Sequence, residues 1–220
     1  MGPQRAEFIG GLSEPCRTVA RFLIDTGLRV GECCSLTWDR VFLDGEQAYI
    51  YVARGKSKQA TRYIPLTIEA RAILERQKTI SRSQYVFVRF GGRVDEDLWY
   101  TAPLSRHTLC HQFTERRRDM GLPWDAVLHS TRHTALTDLG ASGADAFTIK
   151  AIAGHASVTT SQRYVHPVPE TIQRAVSRLG EYREAEAAAF RPKLETVPKR
   201  TAPATVFATP EKAKSAAAGK

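Results

Sequence analysis

The sequence predicts an α+β fold that is mainly helical and carries one small antiparallel sheet. Three observations predict it. Most segments up to about residue 186 space their apolar residues as helices do, and a single pair of neighbouring runs reads as strands. The chain has 220 residues, 42% of them apolar, which suffices to fill a core.

In order, residues 14–26 set Val19, Phe22 and Leu23 at helical spacing, and Gly27 is the residue on which such a helix stops. A short helix over residues 30–36 follows. Residues 48–53 and 61–66 are expected as strands, joined through the polar RGKSKQA as a hairpin with a basic tip. Residues 68–78 are expected as a helix and 85–90 as a short extended piece. Residues 104–120 form an amphipathic helix ending on Arg116, Arg117 and Arg118. Four more helices are expected over residues 130–139, 146–153, 159–164 and 169–184, and no internal repeat is present. From Ala187 the composition turns to Ala, Pro and Lys, so residues 187–220 are expected as a disordered tail behind a domain of residues 1–186.

Thirty-two Lys and Arg against 23 Asp and Glu give a formal net charge of +9, which points to an anionic partner. No run approaches the roughly 20 apolar residues of a membrane span, and the start has no apolar stretch of a secretory signal. A cytoplasmic, nucleoid-associated protein is expected, with no membrane partner. Cys16, Cys33, Cys34 and Cys110 form no CxxC pair and are expected as reduced, mostly buried thiols.

Four places hold side chains that packing alone does not ask for. Arg29 follows the helix-stopping Gly27 in TGLRVGE. Lys56 and Lys58 sit in the hairpin tip, with Arg62 beyond them. His129, Arg132 and His133 in LHSTRHTAL fall at offsets 0, 3 and 4, one face of a helix, where crowded cations need something anionic opposite. His155 follows a Gly in AGHAS, and Tyr164 stands nine residues later. Taken singly, each has an ordinary reading: an ion-paired Arg, a solvated turn, a half-buried Tyr. Taken together they comprise two guanidiniums, an ammonium, several imidazoles and a phenol, with no cluster of carboxylates to hold magnesium.

A phosphodiester in its trigonal-bipyramidal transition state wants that inventory. Two Arg forks match its non-bridging oxygens better than ammonium groups do. Arg29 and Arg132 suit that role. A phenol is a covalent nucleophile whose phosphoester keeps the bond energy for reversal, which suits Tyr164. The departing sugar hydroxyl needs a proton donor, and Lys56, with Lys58 as the alternative, can reach it from a hairpin.

In order and spacing, Arg29 in TGLRVGE, Lys56 in GKSKQATRYIPL, His129 and Arg132 in HSTRH, His155 in GHAS and Tyr164 in RYVHP resemble the catalytic boxes of the tyrosine recombinase (phage integrase) family, over about residues 14–180. The resemblance implies a three-stranded sheet beside the helices and a site-specific DNA recombinase. In such an enzyme Tyr164 forms a 3′-phosphotyrosyl bond and releases a 5′-hydroxyl, with no metal and no cofactor. It implies that Arg29 and Arg132 bind the phosphate and Lys56 is the general acid. His129 assists proton transfer at the nucleophile, His155 hydrogen-bonds the phosphate, and His133 supports the site. Partners implied are double-stranded DNA and further protomers, as a tetramer on DNA, with no small-molecule substrate. The segment after Tyr164, residues 169–184, is expected to dock on a neighbouring protomer. Only about thirteen residues precede the first expected helix, so the N-terminal DNA-clamping domain of the family is expected to be absent.

Three rivals remain at this point. A metal-dependent hydrolase would use His129, His133 and His155, although Ser130 stands where HExxH needs Glu. A degenerate recombinase would bind DNA without cutting it. A type IB topoisomerase would use similar residues to relax DNA without partner sites.

Overall fold

The computed structural model describes residues 3–45, 47–53, 61–89, 102–166 and 169–189. Helices α1 (Pro3–Gly10), α2 (Cys16–Thr26) and α3 (Val30–Cys34) lead through a single 3-10 turn to strands β1 (Val41–Phe42), β2 (Tyr49–Val52) and β3 (Arg62–Pro65). Six further helices follow: α4 (Ile68–Ile80), α5 (Arg106–Asp119), α6 (Ser130–Ala141), α7 (Ala146–Ala153), α8 (Val158–Gln162) and α9 (Pro169–Ala189). The strands pair antiparallel in the order β1-β2-β3. The fold is the mainly helical α+β arrangement that the sequence predicts.

Helix α2 is the centre of the core. Its Cys16, Val19, Ala20, Phe22 and Leu23 are fully buried, and it packs against α4 and α6. Phe22 meets Phe87 with ring centroids 5.1 Å apart. A left-handed Gly27 ends α2, its N–H bonded to the Leu23 carbonyl. Alternation along β2 and β3 turns Ile50, Val52, Ile64 and, unusually, Arg62 inward. A second, smaller cluster joins Leu136 of α6 to Ile149 and Ala153 of α7, with Tyr164 and Val165 packed on it.

Several expectations need correction. A helix, α1, occupies residues that were expected to precede the first one. Only Ile9 of it is buried, so its apolar periodicity is weak, and Arg5 ties it to Asp138 of α6. The third strand that the resemblance implies is present as the two-residue β1, too short to leave a pattern of its own. Residues 85–89, part of the expected extended piece, bend at Val86 and Phe87 and contribute isolated bridges, Thr37 to Tyr85 and Val88 to Pro103, and no strand. Tyr164 lies just beyond α8, which stops at Gln162. Helix α9 runs to Ala189, so residues 187–189 are helical. The rest of the expected tail lies outside the described residues.

Among the described residues, those up to Thr171 form one compact unit, and those from Ile172, most of α9, belong to a second. Helix α9 buries no residue. No helix among the described residues is long and apolar enough to cross a membrane.

The small cluster carries the turn that holds Tyr164. Leu136→Ala is therefore expected to cost about 2–5 kcal/mol through the cavity it leaves, measured as the shift in urea unfolding. A cost under about 0.5 kcal/mol would show that α6 and α7 are not joined there.

Candidate active site

Helix α7 begins on Asp145, whose carboxylate accepts the N–H groups of Phe147 at 2.7 Å and Thr148 at 3.0 Å. It ends on Gly154, where φ is +64° and a Cβ would stand 2.9 Å from a guanidinium nitrogen of Arg62. The last carbonyls of a helix have no partner within it and carry its negative dipole end. Here three guanidiniums from three other elements take them. Arg62 of β3 donates through Nε to the Ile152 carbonyl at 2.7 Å. Arg132 of α6 donates through Nη2 to that of Ala153 at 2.6 Å, and Arg29, at the start of α3, through Nη2 to that of Gly154 at 3.1 Å. Arg132 also donates through Nη1 to the Gly27 carbonyl at 2.6 Å, joining the end of α2 to the end of α7.

Glu32 is the carboxylate in this network. It accepts the backbone N–H of Arg29 at 2.9 Å, Nη1 of Arg29 at 2.9 Å and Nη2 of Arg62 at 2.7 Å. Burial alone would raise its pKa. The bonds from Arg62 and Arg29 and the Arg62 charge overcome that and hold it down at about 2. Three guanidiniums against one carboxylate leave a cationic surplus. Arg132 is only 4% exposed, and burial first, then the Arg29 and Arg62 charges, lower its pKa to about 10. An anion seated here relieves that repulsion.

His155 follows the end of α7, its Nδ1 2.8 Å from the hydroxyl of the fully buried Ser161. Burial and the Arg132 and Arg29 charges push its pKa down to about 4, so the ring is neutral at pH 7. His129 stands at the N-cap position of α6, and burial and Arg132 lower its pKa too. The Tyr164 ring lies near-parallel to that of His155 at 6.4 Å and tilted against that of His133 at 5.2 Å.

The structure thus places Arg29, Arg132, His155 and Tyr164 around the end of α7, with His129 one turn before Arg132. Lys56 and Lys58 lie outside the described residues. Ala53, near the start of that segment, lines a cleft of about 460 Å³ with Arg29, Glu32, Arg106 and His129. A smaller hollow of about 240 Å³ behind α1 is lined mainly by apolar groups such as Phe8, Ile9 and Phe113, and has none of this chemistry. Arg116 is occupied elsewhere, donating to the Glu7 and Phe8 carbonyls at the end of α1. His129, His133 and His155 do not gather as metal ligands. Among the described residues no group of three His, Cys, Asp or Glu side chains is placed to hold an ion.

Glu32 and Arg62 join this network although the sequence reading assigns Glu32 no role and notes Arg62 only as a charge beyond the hairpin tip. A signal for each was present. Arg62 is in phase with the inward Ile64, so a strand buries its charge and demands a partner. Glu32 lies three residues after Arg29, one turn along a helix.

Residues 8–171 match the Phage integrase family. The tyrosine recombinase XerD of Pseudomonas putida is 30% identical over 175 residues, covering 78% of this chain and 55% of that protein. Among solved structures, the Tn1549 transposon integrase in complex with circular intermediate DNA superposes with a TM-score of 0.62 at 18% identity, covering 81% of this chain and 66% of that one. XerA recombinase gives 0.58 at 25% identity, covering 81% and 62%. The chain spans about half the length of the curated relatives it matches.

Glu32→Gln leaves the buried Arg62 without its counter-charge and is expected to cost about 3–5 kcal/mol at pH 7. The folded pKa of Glu32 is depressed, so its contribution is present above its ordinary 4.5 and is lost as pH falls toward about 2. Chemical denaturation across that window should show the gap between wild type and variant closing. A gap that persists unchanged to pH 2 would contradict the assignment.

Proposed function

Because the chain belongs to the phage integrase family, we propose that residues 1–186 are the catalytic unit of a site-specific DNA recombinase or integrase. It cuts and rejoins double-stranded DNA through a 3′-phosphotyrosyl intermediate. The observation that carries the proposal is the convergence on the end of α7: Arg29 and Arg132 fixed by its carbonyls, and Tyr164 beside the His155 that follows it.

A guanidinium has five N–H donors, and the bonds described above take two from Arg29 and two from Arg132. The others are available to the non-bridging oxygens of a scissile phosphate. These groups are held before the substrate arrives, so charge that develops in the transition state meets fixed donors. In the tautomer this reaction needs, Nδ1 of His155 accepts from the Ser161 hydroxyl beside it, and Nε2–H of the neutral ring donates to a phosphate oxygen. Tyr164 Oη attacks phosphorus while the bond to O5′ breaks. The phenolic proton passes to His129, neutral at pH 7, and Lys56 protonates the departing O5′. The products are a 3′-phosphotyrosine and a 5′-hydroxyl, and reversal with a different 5′-hydroxyl joins new strands. Lys58 is the alternative acid. No metal or organic cofactor enters these steps.

Duplex DNA as partner is supported by the +9 charge and by the DNA complex of the Tn1549 integrase. Assembly of four protomers on DNA, a cytoplasmic, nucleoid-associated location and service to a mobile element belong to the same proposal.

On a nicked suicide duplex the wild-type chain should become covalently attached to DNA. Tyr164→Phe should abolish the adduct and leave binding intact. An adduct that survives the change removes Tyr164 from the mechanism, and binding without any wild-type adduct favours a non-cutting regulator. Lys56→Ala should slow cleavage by about 10²–10⁴-fold, and a 5′-thiol leaving group, which needs no proton, should restore it. Failure of the thiol to restore cleavage removes Lys56 as the acid and points to Lys58 or to a structural role for Lys56.

A further inference from the structure

We infer that Gly140 is a positioning residue for Tyr164: the bare surface of α6 at this residue is the seat on which the nucleophile's backbone rests. Gly140 lies in the last turn of α6 and is buried. A Cβ placed on it would overlap the carbonyl oxygen of Tyr164, stand 2.8 Å from the carbonyl carbon and 3.7 Å from Cα. Its backbone is helical and not left-handed, so conformational freedom does not call for glycine here. In a helix interior glycine costs about 1 kcal/mol relative to alanine. What glycine provides at this position is room.

The seat and the rest of the site share one helix. His133 and Gly140 are seven residues apart, two turns, and so face the same way. His133 meets the Tyr164 ring while Gly140 receives its backbone. The neighbouring Arg132 donates to Ala153 at the end of α7. Helix α6 therefore sets the separation between a phosphate-binding guanidinium and the attacking oxygen. From the other side the Tyr164 turn is closed by its N–H to the Ser161 carbonyl at 3.0 Å, and Ser161 also contacts His155. An added methyl at residue 140 pushes the Tyr164 backbone outward by about 1 Å, a displacement that costs a reaction of this kind about 10²-fold.

The activity arm of the test rests on the recombinase reading; a structural arm does not. Gly140→Ala is compared with wild type and with Gly10→Ala, a helical glycine with open space around it. Single-turnover cleavage of the nicked duplex at saturating protein should fall about 100-fold in Gly140→Ala. Duplex affinity should stay within about twofold and the variant should remain folded at the assay temperature, its helix-propensity gain offsetting part of the cost of the overlap with the Tyr164 carbonyl. Gly10→Ala should cut normally. In protein labelled with 3-fluorotyrosine, the Tyr164 fluorine signal should move in Gly140→Ala and stay in place in Gly10→Ala. The inference is overturned if the fluorine signal does not move, if Gly140→Ala cuts within threefold of wild type, or if cleavage falls only in step with duplex affinity or with the fraction of protein folded at the assay temperature. A moved signal in a protein whose wild type never forms the adduct upholds the seat and rejects the recombinase reading.

Discussion

Three carbonyls at the end of one short helix organise this protein. Ile152, Ala153 and Gly154 present the negative end of α7, and each accepts from a guanidinium that arrives from a different part of the chain: β3, α6 and the start of α3. The buried Arg62 and Arg132 have their desolvation offset by charge-assisted bonds to backbone, and Glu32 binds Arg62 to the half-buried Arg29. The helix end is available for this because Gly154 turns the chain away in a left-handed conformation with no side chain to block Arg62. Long-range architecture and local chemistry are here the same set of bonds, since Arg132 also bridges the ends of α2 and α7.

The electrostatic consequences share the same two causes. Burial first, and then the surplus of fixed positive charge, lowers Arg132 to about 10, lowers His155 to about 4 and moves His129 in the same direction. Both imidazoles are neutral at physiological pH and able to pass or donate a proton, while the guanidiniums stay charged. Arg62 and Glu32 neutralise each other and act through their neighbours. Arg29 and Arg132 keep the excess, which makes this end of the site cationic.

Much of this was legible in the residues. Helices α2 and α7 announce themselves by apolar spacing and by Gly27 and Gly154 at their ends. The clustering of Arg132 between two histidines pointed to an anion, and what the chain itself sets opposite Arg132 is backbone carbonyl. Carbonyls leave no mark in a sequence, which is why the organising role of α7 was invisible. Helix α1 was missed because it buries only Ile9, and β1 because two residues cannot show alternation. Residues 85–89 read as an extended piece because they are mostly apolar, but the chain bends at Val86 and Phe87, and Val86, Phe87 and Val88 reach the core without joining the sheet, a matter of tertiary placement.

The central claim is that Arg29 and Arg132 form a preset anion site while Arg62 serves the framework. Arginine-selective ¹⁵N NMR of the chain titrated with inorganic vanadate tests it most directly. The account predicts that the side-chain N–H signals of Arg29 and Arg132 shift together and saturate, with those of Arg62 unmoved. Signals of Arg29 and Arg132 that stay in place while others respond would contradict it.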